Sequence, residues 1–214
     1  MAPETPEIAV DGPADGPALA LAHGAGVGMD SPFMAGMAER LAERGVRVAR
    51  FEFGSMAARR SDGKKRPPPA QTTLLAEFRA VVAALGGPGG VFVGGKSMGG
   101  RMASLLAAEQ EQAGQPVAGA LALGYPFHPP GKPEKLRTDH LRALATPMLV
   151  CQGERDSFGT AQEVPDYPLS QAVRLVWLPD GDHDLKPRKA SGHSQEANWT
   201  AAADAVAAFM RGDG

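Results

Sequence analysis

Short runs of apolar residues recur along the chain and predict the strands of a sheet. Most of these runs are apolar throughout rather than alternating with polar residues, which is typical of parallel strands covered on both faces. The predicted strands are residues 18–22, 46–51, 91–93, 118–123, 147–151 and 173–178. Residues 7–10 are a candidate for an additional edge strand.

Between these runs, apolar residues recur three or four positions apart and predict amphipathic helices. Ser31 and Pro32 mark one helix start, as a capping side chain followed by proline at the first helical position, and Gly45 marks its end. The four stripes are Phe33, Met37 and Leu41; Leu74, Phe78, Val81, Val82 and Leu85; Met102, Leu105 and Leu106; and Trp199, Ala202, Ala203, Val206 and Met210. The alternation predicts an α/β fold, a mainly parallel sheet of about six or seven strands with helices on both faces. Ligands of such sheets bind beyond the carboxyl ends of the strands.

The length of 214 residues is enough for a buried core, and we expect one domain over residues 1–214 with its core at 18–210. The net charge of −2 gives no general attraction to nucleic acid or anionic membranes. Residues 1–10 lack the pattern of a secretory signal, and no apolar run approaches the roughly 18 residues that span a bilayer. We therefore expect a cytoplasmic protein whose single cysteine, Cys151, is a buried thiol.

Two segments read as loops at the binding edge of the sheet. Residues 54–70 contain one acid, Asp62, and five cations, so we interpret them either as a solvated loop or as a loop that attracts anionic substrates. The cations are Arg59, Arg60, Lys64, Lys65 and Arg66. Residues 124–137 are stiffened by four prolines, and neither segment is long enough to form a second domain.

The stretch GVFVGGKSMGG, residues 90–100, matches two motifs. It has the spacing of a phosphate-binding P-loop, with Lys96 as the key residue, and that of the G-x-S-x-G nucleophile elbow, with Ser97 as the nucleophile. In a P-loop the four variable residues form the loop itself, but here they include Val-Phe-Val, which favours a strand. The elbow instead requires strand, turn and helix with small residues two before and two after the serine. Gly95 and Gly99 meet that requirement, so we favour the elbow.

A serine nucleophile needs a base, and the base needs an orienting carboxylate, in the chain order Ser, acid, His. His183 follows the last predicted strand in a turn-rich loop and is the preferred base, with His193 as the alternative. Asp156 follows the preceding strand and is the preferred acid, with Glu154 as the alternative.

The negative oxygen that develops during acyl transfer needs preorganised hydrogen-bond donors. We expect one from the backbone N–H of Met98, directly after the nucleophile. The second should come from the loop after strand 18–22, at Ala25, with Gly26 as second choice. We interpret His23 as structural.

With these residues in place, the chain resembles the α/β-hydrolase superfamily, and within it the small lidless branch related to dienelactone hydrolase. In that branch it is similar to the group containing the testis-expressed α/β-hydrolase-like proteins and a subunit of the histone-acetylating NSL complex. The matching stretches are HGAGVGMDSPFM, VFVGGKSMGGRMAS, GYPFHPPGKPEKLR, CQGERDSFG and DGDHDLK. The resemblance implies an α/β-hydrolase fold, a catalytic triad at Ser97, Asp156 and His183, and oxyanion donors at Ala25 and Met98.

Only residues 124–146 separate two predicted strands where larger hydrolases carry a helical lid, so we expect no lid domain and an open site. The residues expected to line it are Gly26, Lys96, Tyr125, Phe127 and His128. Arg101 also flanks the nucleophile, and we expect it to form a structural ion pair with Glu52.

The sequence therefore predicts a serine hydrolase that cleaves a small carboxylic ester or related acyl compound through an acyl-enzyme. The alternative is a non-catalytic binding or scaffold protein on the same fold. The chemistry requires neither metal nor organic cofactor. We expect a small-molecule substrate, no nucleic acid and no membrane partner, and the oligomeric state is left open.

Overall fold

A computed structural model describes residues 5–213, so the first four residues of the N-terminal segment considered above lie outside the described region. The described chain contains one seven-stranded sheet. Its strands are β1 (Ile8–Asp11), β2 (Ala18–Ala22), β3 (Arg47–Phe51), β4 (Val91–Lys96), β5 (Gly119–Leu123), β6 (Met148–Gly153) and β7 (Val173–Leu178). The predicted strands and the candidate edge strand are therefore confirmed, with small shifts at their ends.

The strands lie in the order β1-β3-β2-β4-β5-β6-β7, and only β1, at one edge, runs antiparallel to its neighbour. The register pairs Ala22 with Gly95 and Lys96 with Leu123, so the carboxyl ends of the central strands lie side by side. Every loop that follows a parallel strand therefore reaches the same edge of the sheet. That edge holds the site described below.

Within residues 5–213, five α-helices accompany the sheet: α1 (Pro32–Glu43), α2 (Gly54–Asp62), α3 (Gln71–Ala84), α4 (Met98–Gln112) and α5 (Gln195–Arg211). Helices α3 and α4 pack on one face, and α1 and α5 pack on the other. The predicted stripes point inward; Met37, Leu41, Phe78 and Val206 are fully buried. Each such side chain contributes about 1.5–3 kcal/mol by leaving water.

The beginning of α1 is as predicted, but its cap is not. The helix begins at Pro32, yet the Ser31 side chain makes no capping hydrogen bond. The Ser31 backbone carbonyl instead accepts from Ala35 N at 2.9 Å. Proline at the first position sets the helical φ by itself, so the helix start does not depend on a side-chain cap.

The interpretation of residues 54–70 as a loop is wrong for its first half, because Gly54–Asp62 forms α2. No residue of α2 is buried, so the apolar periodicity that reveals the other helices is missing. The helix is supported by good helix formers, by Arg59 and Arg60 in its last turn, and by Gly63 in a left-handed conformation with φ 70°.

Two further expectations concern the neighbourhood of Ser97. Val91–Lys96 is extended, so a strand occupies the positions that a P-loop would need for its phosphate loop. Residues 124–146, between β5 and β6, contain one short 3₁₀ turn, Asp139–Leu141, and no lid.

Among the described residues, no helix combines the length and hydropathy needed to cross a membrane.

Candidate active site

Ser97 lies at the sharp turn between β4 and α4. Its backbone has φ 51° and ψ −113°, a conformation that a non-glycine residue adopts only under strain. The turn is also crowded: a Cβ at Gly95 would lie 2.5 Å from the Ala22 carbonyl oxygen, and one at Gly99 would lie 2.4 Å from the same atom. Glycine is therefore required on both sides of the serine, and the strained turn projects the Ser97 hydroxyl outward.

The structure brings Ser97, His183 and Asp156 into one chain of hydrogen bonds. His183 Nε2 lies 2.8 Å from Ser97 Oγ, and His183 Nδ1 lies 2.8 Å from Asp156 Oδ2. A carboxylate only accepts hydrogen bonds, so the Nδ1–H donates to Asp156 and Nε2 is free to accept from the serine hydroxyl. This is the tautomer that a general base for Ser97 requires.

Asp156 lies in the loop after β6 and is fully buried, and its Oδ1, the oxygen not bonded to His183, also accepts a hydrogen bond. Asp156 Oδ1 accepts from the Phe158 N–H at 2.9 Å, which fixes the carboxylate plane. The Phe158 ring packs on the His183 imidazole with the ring centroids 4.3 Å apart. The two alternatives lie elsewhere: Glu154 accepts from the Asp180 N–H at 2.8 Å, and His193 is exposed.

Gln152, which sequence reasoning missed, supports this carboxylate from within the core. Its Nε2 donates to Asp156 Oδ2 at 2.9 Å, and its Oε1 accepts from the Tyr125 N–H at 2.7 Å. The side chain is fully buried and ties together the loops that follow β5 and β6. The one signal in the sequence is a polar residue that ends the apolar run MLVCQ.

The two predicted oxyanion donors come from two different segments of the chain. Met98 is the first residue of α4, so its N–H has no acceptor within the helix. Ala25 follows β2, and Ala25, Ser97 and Met98 line the same cavity. Gly26, the second choice, has φ 80°, and its carbonyl accepts from Arg59 Nη1 at 2.9 Å.

His23 anchors the loop that carries Ala25, in the structural role expected for it. Its Nε2 accepts from the Phe53 N–H at 3.1 Å, and its Nδ1 lies 2.8 Å from the Gly24 carbonyl oxygen. Burial lowers the pKa of His23, which favours the neutral ring that can both donate and accept. The loop after β2 is thus tied to the end of β3.

The cavity beside Ser97 has a volume of about 380 Å³, and none of the five residues predicted to line it does so. Tyr125, Phe127 and His128 are buried beneath it, with 2% exposure or less, and Gly26 does not line it. The large rings turn into the core because burying them is favourable. Pro126, between two of them, faces the cavity instead.

Lys96 also departs from its predicted place. Its side chain lines a separate cavity with Phe33 and Trp199. There Nζ donates to the His183 carbonyl oxygen and lies 3.2 Å from Asp184 Oδ1. Burial lowers the pKa of the Lys96 amine, although Asp184 opposes the shift. Lys96 therefore holds the His183 loop rather than the substrate cavity.

The expected ion pair between Arg101 and Glu52 does not form. Glu52 is almost fully buried and accepts from Arg60 Nη2 at 2.6 Å and from the Met29 N–H at 3.1 Å. Arg101 lies at the cavity beside Ser97, where its Nη2 donates to Gln71 Oε1 at 3.2 Å. The unforeseen helix α2 carries Arg60 to Glu52 and leaves Arg101 without that partner.

Comparisons with known proteins agree with the fold. A family model for an alpha/beta hydrolase domain matches residues 15–211. Est1E from Butyrivibrio proteoclasticus is 18% identical, with 96% of this chain and 93% of that one covered and a TM-score of 0.65. A dienelactone hydrolase from Anabaena variabilis is 20% identical, with 96% and 90% covered and a TM-score of 0.68. A serine hydrolase without a lid from Xanthomonas campestris is 21% identical, with 95% and 86% covered and a TM-score of 0.62.

Proposed function

The chain belongs to the alpha/beta hydrolase family, and on that premise we propose that it hydrolyses a small carboxylic ester or related acyl compound through a covalent acyl-enzyme. Ser97 is the nucleophile, His183 the general base and acid, and Asp156 the residue that orients the imidazole. The Met98 and Ala25 N–H groups hold the developing oxyanion. The observation that carries the proposal is the continuous hydrogen-bonded chain from Ser97 Oγ to buried Asp156.

The first half of the reaction forms the acyl-enzyme. Ser97 Oγ attacks the acyl carbon while His183 Nε2 takes the hydroxyl proton, and the carbonyl oxygen becomes an oxyanion. When the tetrahedral intermediate collapses, the bond between the acyl carbon and the leaving-group oxygen breaks. His183 gives its proton to the leaving-group oxygen, which departs as an alcohol. Loss of one oxyanion donor typically lowers turnover by about 100- to 1,000-fold.

The second half releases the acid. His183 takes a proton from water, the hydroxide attacks the acyl carbon, and the bond to Ser97 Oγ breaks with return of the proton to the serine. Asp156 stabilises the imidazolium that forms in both halves. Its two oxygens stay fixed by Phe158 N–H and Gln152, so the carboxylate does not need to reorganise during the reaction.

A binding or scaffold protein on the same fold has no need for this arrangement. A strained serine and a fully buried carboxylate both cost folding free energy, and packing alone does not require them to meet. Strain of this kind concentrates at active sites. These features favour catalysis over binding alone.

A fluorophosphonate probe tests the proposal because it reacts with activated serines. We expect the wild-type chain to be labelled, Ser97→Ala to be unlabelled, and the exposed-serine variant Ser61→Ala to be labelled at the wild-type rate. Hydrolysis of short-chain aryl esters should follow the same pattern. A folded wild-type chain that is neither labelled nor active, and a partner protein whose binding survives Ser97→Ala, would together favour the scaffold alternative.

A further inference from the structure

Two arginines, Arg101 and Arg137, line the cavity beside Ser97. Most other arginines of the chain pair with carboxylates, as Arg60 does with Glu52 and Arg188 does with Asp180. Across residues 5–213, neither Arg101 nor Arg137 has a carboxylate within ion-pair distance. The cavity therefore contains two positive charges that the folded chain itself does not neutralise.

Arg101 is held close to the nucleophile. It lies four residues after Ser97 on α4, which corresponds to a rise of about 6 Å along the helix. Its only hydrogen-bonded side-chain partner in the described chain is the neutral amide of Gln71, and its Nε is buried without a partner. Burial lowers the pKa of the Arg101 guanidinium, so this charge costs free energy until an anion reaches it.

Arg137 approaches the same cavity from the loop after β5. Its backbone is fixed on both sides: its N–H donates to the Phe127 carbonyl at 2.7 Å, and its carbonyl accepts from the Tyr125 hydroxyl at 2.9 Å. The positive charge of Arg137 is one of the causes that lower the pKa of Arg101, so the two guanidinium groups repel each other. An anion placed between them would relieve that repulsion.

We propose that this cavity binds a carboxylate carried by the substrate, so that the ester cleaved at Ser97 is a small anionic one. The inference rests on the proposed function and adds the class of substrate. Guanidinium groups bind carboxylates through paired, charge-assisted hydrogen bonds. The cavity volume of about 380 Å³ suits a small substrate. Residues 124–137, which carry Arg137, thus supply specificity where larger hydrolases have a lid.

Two matched pairs of esters test the proposal. Para-acetoxybenzoate and para-acetoxybenzamide differ by a charge on the leaving group, and mono-para-nitrophenyl adipate and para-nitrophenyl hexanoate differ by a charge on the acyl group. Each kcat/KM is divided by the rate constant of hydroxide hydrolysis to remove intrinsic reactivity. We expect the wild-type chain to prefer the anionic member of at least one pair by about 10- to 100-fold. The responding pair identifies the side of the ester that carries the carboxylate.

Charge-removing variants locate the subsite. Arg101→Gln and Arg137→Gln should each bring the anionic-to-neutral ratio close to one, and Arg142→Gln, an exposed arginine outside the cavity, should leave the ratio unchanged. The ratio is internal to each variant, so partial loss of folded protein does not affect it. Equal turnover of both members of both pairs, or a ratio indifferent to both cavity arginines, would overturn the carboxylate subsite while leaving the hydrolase proposal standing.

A binding measurement separates the two proposals if no ester is hydrolysed. In Ser97→Ala, calorimetry should detect tighter binding of the anionic member than of the neutral member in at least one of the two ester pairs, and the difference should disappear when Arg101→Gln is added. That result would support the subsite even if the hydrolase proposal failed. Equal binding of the two members within both pairs would refute the subsite.

Discussion

Replacing Gly99 with alanine should damage the site through the backbone rather than through any catalytic side chain. The new Cβ would lie 2.4 Å from the Ala22 carbonyl oxygen and 2.7 Å from the His23 carbonyl oxygen. An ordinary contact between carbon and oxygen is about 3.3 Å. The start of α4 and the loop after β2 must therefore separate by roughly 1 Å. These two segments carry Met98 and Ala25, the proposed oxyanion donors.

The magnitude follows from this displacement. Overpacking a close contact costs about 1–3 kcal/mol of unfolding free energy, and the better helix propensity of alanine returns at most about 1 kcal/mol. A misplacement of about 1 Å at reacting groups can lower turnover by about 100-fold. We therefore expect Gly99→Ala to lower the free energy of unfolding by about 1–3 kcal/mol at most and to lower kcat by about 100-fold.

The assay combines urea unfolding with ester turnover and the rate of fluorophosphonate labelling. Gly89→Ala is the matched control, because a Cβ there meets no atom within 4 Å. It should retain wild-type stability and turnover. If Gly99→Ala loses stability but keeps wild-type kcat, the start of α4 and the loop after β2 do not position the oxyanion donors.

Three further outcomes follow from the same structure. Asp156→Asn should lower the kcat of the folded protein by about 10,000-fold, because an amide in place of the carboxylate favours the wrong tautomer of His183; the exposed variant Asp166→Asn should not, and a loss below tenfold would contradict the assigned role. Burial lowers the pKa of His140 from 6.5 to about 4, so its contribution to stability is present above pH 6.5 and is lost as the pH falls towards 4. Urea unfolding across that range should show a shallower pH dependence in His140→Gln, and identical slopes would refute this. Burial raises the pKa of the Cys151 thiol to about 12, so a thiol reagent should react with it only after unfolding, and rapid modification of the native chain would count against the buried position.

Local patterns account for the parts of the site that the sequence predicted. The elbow is a property of adjacent residues, since a strand, a crowded turn and a helix start must follow one another within residues 91–106. The chain order of nucleophile, acid and base follows from the order of the strands. For that reason Ser97 and His183 could be named before any coordinates.

The choice between Glu154 and Asp156 depended on tertiary contacts. Both acids lie in the same short loop, and the sequence offered only a preference for the one further along. In the fold, Glu154 is occupied by the Asp180 N–H, while Gln152 and Phe158 N–H hold Asp156 against the imidazole. Gln152 and Phe158 are near Asp156 in the chain, but Asp180 reaches Glu154 from the loop after β7, which only the fold brings close.

The lining of the cavity was predicted poorly for a related reason. Neighbouring loop residues face in opposite directions, so Pro126 lies at the cavity while Tyr125 and Phe127 enter the core. Arg101 was expected to pair with Glu52, but Arg60 of α2 takes that carboxylate, and α2 has no buried stripe that would predict it from the sequence. The direction of a loop side chain is set by what it packs against, and that information is not periodic in the sequence.

Local sequence patterns are enough to predict the parallel sheet, the order of its elements along the chain and the strained turn at Ser97, because hydrophobic periodicity and glycine placement act over a few neighbouring residues. Tertiary packing was needed to show that Asp156 rather than Glu154 contacts His183, that the Lys96 side chain lines a separate cavity, and that Arg101 and Arg137 share a cavity without a carboxylate. Those outcomes depend on strand register and on the competition of several side chains for the same partners. Such competition is resolved only when the whole chain packs.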